Sequence, residues 1–206
     1  MNSEIEKIKE NIDEVTEKTF KVIKQVYDYQ RESNPKKSKM WSEVGSRIIF
    51  PKYSEHRKSE EIDRISEQEL RFVFVEQLIL YANENKLDIY YSVETPTDGR
   101  YKFSGVEKPE KSDYGVSART DLSIHDKDFK RICLIEFKNP KASNYEKDIL
   151  KLDQETSDLK YFIQIIKNYD KRTINKLAKM TEKMSSARIE YRCYCLEKGK
   201  LYPFDK

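Results

Sequence analysis

The chain has 206 residues, 37% of them charged, with a formal net charge of +3; that length suits one sizeable core with at most a small appendage, since domains run roughly 100 to 200 residues. So balanced a charge excludes long-range attraction to a polyanion through net charge alone and leaves local clustering as its source. No apolar run approaches the roughly 18 residues that span a bilayer, and Met1-Asn2-Ser3-Glu4-Ile5-Glu6 lacks the basic and apolar regions of a signal peptide, so a cytoplasmic protein with no membrane partner is expected.

Residues 1–35 read as an N-terminal helical extension and residues 36–206 as the main domain. Ile5, Ile8, Ile12, Val15, Thr19, Val22, Val26 and Tyr29 alternate at spacings of three and four, the a/d pattern of a coiled-coil seam. Such a seam packs either on its own domain or on a second copy, and a homodimer mediated at least partly by residues 1–33 is the expectation drawn from it. Asn34-Pro35-Lys36-Lys37-Ser38-Lys39 then breaks the pattern as a polar turn.

Residues 40–65 lack periodicity and read as an irregular lead-in with a short helix. Ser66-Glu67-Gln68-Glu69 fits a capping box, and the apolar residues from Leu70 to Leu80 follow nearly all round, as expected of a helix buried against a sheet and ending near Asn83–Asn85. Strands are predicted at 89–93, 101–103, 118–124 and 131–137, with Pro96, Gly99, Gly105, Pro109 and Gly115 marking loops between them. A helix at 143–155, a strand at 161–166, a helix at 173–184 and a strand at 189–196 complete the order. This order suits an α/β fold, a central mixed β-sheet flanked by helices.

The three cysteines, Cys133, Cys193 and Cys195, fall in strand-like runs, and His56 and His125 show no zinc-ligand spacing to them, so reduced thiols are expected. No P-loop, GxGxxG, zinc finger or RNP-type motif is present, which argues against autonomous ATP use. Ser123 and His125 lie near aspartates, but no nucleophile elbow supports a hydrolytic triad.

Chemistry concentrates at Glu136-Phe137-Lys138, which closes the apolar run Ile132-Cys133-Leu134-Ile135. Charges two apart on a strand share a face, and taking two ions to the flank of a buried strand costs several kcal/mol unless a partner or metal compensates them. Asp121 lies on the preceding strand. Direct opposition of Asp121 and Glu136 in an antiparallel hairpin puts the turn centre between Asp128 and Phe129, within the turn-like stretch from Asp126 to Lys130. Opposed residues hold their β-carbons about 4.5 to 5.5 Å apart, close enough for two carboxylates to share one hard cation. A divalent cation relieves their repulsion and leaves room for water and a phosphate oxygen, as phosphodiester hydrolysis requires, while Lys138 on the same face is placed to orient the water.

Asp121 with Glu136-Phe137-Lys138, after a helix and strand and before another helix and strand, resembles the PD-(D/E)XK nuclease superfamily over roughly residues 66–166. Thr120 stands where the motif has proline. The resemblance implies a restriction-endonuclease-like core and a metal-dependent endonuclease, with Mg²⁺ or Mn²⁺ on Asp121 and Glu136, Lys138 serving the attacking water, and DNA favoured over RNA as substrate. Members often add an acidic residue from the first core helix; Glu69 is slightly favoured over Glu76, with Glu94 at a strand end as a further candidate. Arg119, Lys147 and Lys151 are candidate phosphate contacts. The rival readings are a catalytically inactive nucleic-acid-binding domain of the same fold and an oligomerising adaptor that works through the N-terminal helix.

Overall fold

A computed structural model describes residues 3–31, 44–51, 65–104, 110–139 and 145–204. The turn expected at 34–39, the loop marked by Gly105 and Pro109 and most of the 40–65 lead-in lie outside the described residues. The elements are α1 (Ser3–Arg31), α2 (Glu67–Asn85), β1 (Tyr90–Lys102), β2 (Glu110–Lys111), β3 (Val116–His125), β4 (Arg131–Lys138), α3 (Glu146–Gln154), β5 (Leu159–Ile166), α4 (Lys171–Ser186), β6 (Glu190–Cys195) and β7 (Lys200–Leu201). The strands form one mixed sheet in the order β2-β1-β3-β4-β5-β6-β7, with β4, β5 and β6 mutually parallel and the other pairs antiparallel.

Two apolar layers follow from the strand alternation. Leu122 and Ile124 of β3, Cys133, Ile135 and Phe137 of β4, and Tyr161, Ile163 and Ile165 of β5 face a core shared with α1 and α2. Leu134, Phe162, Ile166 and Cys193 face a second core with Leu152 of α3 and Leu177, Met180 and Met184 of α4. Asp121, Glu136, Lys138 and Gln164 alternate with the first set and therefore share the α3/α4 face.

α1 is where the coiled-coil expectation is corrected. Ile12, Val15, Thr19, Val22, Val26 and Tyr29 are buried within the chain, and Phe20 and Ile23, off the a/d seam, are buried with them. The apolar stripe is wider than a coiled-coil seam and packs on α2 and the sheet within the chain. Tyr81 of α2 adds a polar tie, its hydroxyl donating to Glu14 of α1 at 2.9 Å and lying 3.1 Å from Asn11 Oδ1.

α2 starts on the expected capping box, Ser66 N donating to Glu69 Oε2 at 2.9 Å, and stops at Lys86, whose φ of 54° is left-handed. Its all-round apolar character is only partly used: Leu70, Val73, Phe74, Leu78 and Tyr81 are buried, while Phe72, Ile79 and Leu80 are exposed. All three cysteines are free and buried.

β1 runs through Pro96 and Gly99, which sequence reasoning placed in a loop. The strand tolerates both because the pairing with β3 shifts register between Pro96 and Arg100, an irregularity where a missing N–H costs little. Glu155, at the end of α3, locks the shift. Its carboxylate accepts from Asp98 N (2.7 Å), Gly99 N (2.9 Å) and the Tyr101 hydroxyl (2.7 Å). A β-carbon on Gly99 would sit 3.0 Å from that carboxylate and 2.9 Å from Lys111 Cε.

Burial works against the Glu155 charge, but the Tyr101 hydroxyl and the two backbone donors outweigh it and hold its pKa below the ordinary value. The unfolded chain therefore binds more protons at this site, so the carboxylate stabilises the fold above the unfolded pKa and loses that contribution as pH falls through the folded one. Glu155→Gln turns an amide donor on one of three donors and is expected to cost about 2 to 4 kcal/mol at pH 7. Urea unfolding at pH 7 and pH 4 checks this: the difference from the parent should shrink at the lower pH, and an equal cost at both would refute the ionised lock.

Candidate active site

The β3–β4 hairpin fixes the central pair. Leu122 pairs with Ile135, Ser123 with Leu134 and Ile124 with Cys133, the register anticipated from the turn; the ladder ends there, and Asp121 and Glu136 are the next residues on the two strands, close enough for the charge of one to act on the other. The turn is held by Asp126, whose backbone exchanges hydrogen bonds with Phe129 and Lys130 and whose carboxylate accepts from Asp128 N and Lys130 N. A bulge beside His125 absorbs the odd residue. Asp121 Oδ2 accepts from Phe137 N at 2.8 Å, which ties the aspartate to the β4 strand end.

Glu136 is 1% exposed. Its Oε1 accepts from Lys151 Nζ of α3 at 2.7 Å. Lys151 also reaches the Arg119 carbonyl (2.8 Å) and Asp148 Oδ1 (2.9 Å). An ammonium has three donors, and these three oxygens take all of them. The reading of Lys151 as a phosphate contact is therefore corrected: it is a buried counter-ion of the site.

Lys138 is arranged differently. It pairs with Asp148 Oδ2 at 3.0 Å and Glu67 Oε1 at 3.5 Å, which leaves one donor to spare. Asp148 thus bridges the two lysines. Neither Asp148 nor Glu67 was singled out from the sequence, although Asp148 lies three before Lys151 on one helical face and Glu67 opens α2.

The other carboxylate candidates point elsewhere. Glu69 is spent on Ser66, so the α2 carboxylate that reaches the site is Glu67. Glu76 accepts from the Ser46 hydroxyl at 3.0 Å. Glu94 falls opposite Asp121 in the β1–β3 register, but its backbone is left-handed at φ 50° and its carboxylate pairs with Arg71 of α2, on the other face of the sheet. Arg119 presents an exposed side chain two residues before Asp121, and Lys147 lies 5.2 Å from the centre of the Phe103 ring.

Electrostatics strains both central acids. Burial raises the pKa of Asp121 against the Phe137 N–H and the two lysines. Burial, then the charge of Asp121, pushes Glu136 well above the ordinary range despite Lys151. With folded pKa values above unfolded ones, the folded state binds more protons, and stability falls as pH rises through their titration. For Lys138 and Lys151 burial disfavours the charge, but Asp148 with Glu67 in the first case and Glu136 with Asp148 in the second more than offset it, and both stay protonated.

Among the described residues no group of three or more His, Cys, Asp or Glu is spaced to enclose a metal ion. The cluster nevertheless carries four carboxylates, Glu67, Asp121, Glu136 and Asp148, against two ammonium groups, Lys138 and Lys151, a formal charge of −2 when all are ionised. Asp121 Oδ1 and Glu136 Oε2 accept no hydrogen bond from the described residues. Two facing carboxylates with a spare oxygen each suit a hard cation that keeps several waters. No known family model, curated protein or solved structure matches this chain significantly.

Proposed function

We propose that this chain is a metal-dependent nuclease of the restriction-endonuclease-like fold, hydrolysing phosphodiester bonds with Asp121 and Glu136 as metal ligands and Lys138 as the lysine of the attacking water. The observation that carries the reading is the uncompensated pair: Asp121 and Glu136 lie beside each other near the ends of the central strands β3 and β4, each with an oxygen no described residue satisfies, inside a cluster two positive charges short of neutrality when all its acids are ionised. A bound Mg²⁺ or Mn²⁺ supplies acidity to the attacking water and neutralises charge on the phosphate. Asp121, anchored through Phe137 N, presents its free oxygen at a fixed place. Lys138, held by Asp148 and Glu67, directs its remaining donor toward the water or a phosphate oxygen. Asp148 positions both lysines. DNA is preferred over RNA as substrate on the resemblance alone.

The second reading is a non-catalytic nucleic-acid-binding domain of the same fold, and the Lys151–Glu136 pair favours it, since that ammonium already half-neutralises the site. The adaptor reading loses its basis with the α1 seam buried inside the chain. A chelator-sensitive assay on plasmid, linear duplex, single-stranded DNA and RNA decides: cleavage with Mg²⁺ or Mn²⁺ that EDTA stops supports the nuclease, and binding without cleavage in either metal supports the second reading.

A further inference from the structure

A cavity of about 300 Å³ opens beside the site, lined by Gln164 and Ile166 of β5 and by Arg172, Thr173, Lys176, Leu177 and Met180 of α4, at the small end of ligand pockets, which run about 300 to 1,000 Å³. Gln164 pairs in register with Lys138, so the cavity begins one strand away from the site lysine, on the same face of the sheet. Adjacent strands lie about 4.8 Å apart. Gln164 is only 6% exposed, and its Oε1 accepts from the Tyr191 hydroxyl at 2.7 Å. That bond fixes the amide and turns its N–H₂ donors free of the described protein groups.

The walls are mixed in a telling way. Arg172 and Lys176 are exposed cations one helical turn apart, and neither has a carboxylate partner within ion-pair distance among the described residues. Lys176 lies 5.4 Å from the centre of the Tyr145 ring. Ile166, Leu177 and Met180 give an apolar floor. The N-terminus of α4 is already capped by Asp170, which accepts from Thr173 N and Oγ1, both at 2.7 Å, so an anion here would be held by side chains rather than by the helix end.

From this we infer that the Gln164–Arg172–Lys176 cavity is a nucleotide subsite, taking the unit of a nucleic-acid strand next to the scissile phosphate. The cations take the phosphodiester, the fixed amide donates to a phosphate or base oxygen, and the apolar floor covers sugar or base. The assignment rests on the nuclease reading, which supplies the strand; its own content is the direction in which that strand leaves Lys138, toward β5 and α4.

The test is fluorescence anisotropy with short fluorescein-labelled single-stranded DNA and RNA oligonucleotides in Ca²⁺, over a salt series, with Mn²⁺ affinity measured on the same proteins by calorimetry. Arg172→Ala with Lys176→Ala should weaken oligonucleotide binding roughly tenfold or more and flatten the slope of log K against log salt by about 1 to 2. Mn²⁺ affinity should not move. Gln164→Leu should weaken binding with the salt slope unchanged, its melting temperature reporting whether the fold is kept. A control pair of exposed lysines outside the cavity, Lys179→Ala with Lys198→Ala, should lose much less. Equal losses in the two double variants, or parent-like binding by Arg172→Ala with Lys176→Ala, would remove the subsite while the nuclease reading stood on its metal-dependent cleavage. A parent that binds neither oligonucleotide would also remove the subsite, and the nuclease reading would then rest on the cleavage assay alone.

Discussion

Asp121→Ala is expected to lower Mg²⁺- or Mn²⁺-dependent cleavage by about a thousandfold or more while leaving the protein folded. A metal that polarises a phosphoryl oxygen and acidifies water contributes several kcal/mol at the transition state, and each 1.36 kcal/mol is a factor of ten. Removing one of the two proposed ligands would forfeit most of that. The stability side runs the other way. Asp121 is a buried acid whose pKa is raised by desolvation, and its charge in turn burdens Glu136. Alanine loses the bond to Phe137 N but relieves that repulsion, so a melting temperature in EDTA within a few degrees of the parent is expected. Lys138→Ala should separate from it by reducing turnover more than oligonucleotide affinity, because on the proposed reading its spare donor would serve the reacting atoms. Undiminished metal-dependent cleavage by Asp121→Ala, in a preparation freed of contaminating nuclease, would end the assignment.

How much of this was legible in the sequence differs from element to element, for physical reasons. The β3–β4 hairpin was readable because a polar turn between two apolar runs fixes register, and that register brings Asp121 and Glu136 to adjoining positions just past the Leu122–Ile135 pair. The capping box placed the start of α2 correctly, and it also removed Glu69 from the site, leaving Glu67. Heptad spacing in α1 identified a buried face but not whose surface buries it; the pattern is the same for a partner helix and for the chain's own sheet. β1 was broken at Pro96 and Gly99 because local propensity cannot see Glu155, more than fifty residues on, bonding the irregular backbone. Lys151 reads from the sequence as a candidate phosphate contact for a similar reason: its burial depends on α3 crossing the strand end, and helical spacing carries no information on that crossing.

The inward turn of Lys151 leads to the other large expected effect. Its side chain is 10% exposed and that of Glu136 1%, so their pair is screened little by solvent. Lys151→Met keeps most of the side-chain volume and deletes the charge, leaving Glu136 and Asp148 without it. Breaking a buried pair from one side costs about 3 to 5 kcal/mol, and for a chain of this size each kcal/mol shifts the melting temperature by about 2 to 4 °C. A fall of roughly 6 °C or more in EDTA is expected. If Asp121 and Glu136 take a divalent cation, the same deletion removes the ammonium that competes with it for Glu136, so Mn²⁺ should bind Lys151→Met more tightly and restore more of its stability than it adds to the parent. Differential scanning fluorimetry across a Mn²⁺ series reads both quantities at once. A variant as stable as the parent in EDTA would show that Lys151 is no counter-ion, and one that is destabilised yet indifferent to Mn²⁺ would leave the carboxylate pair as a structural ion cluster.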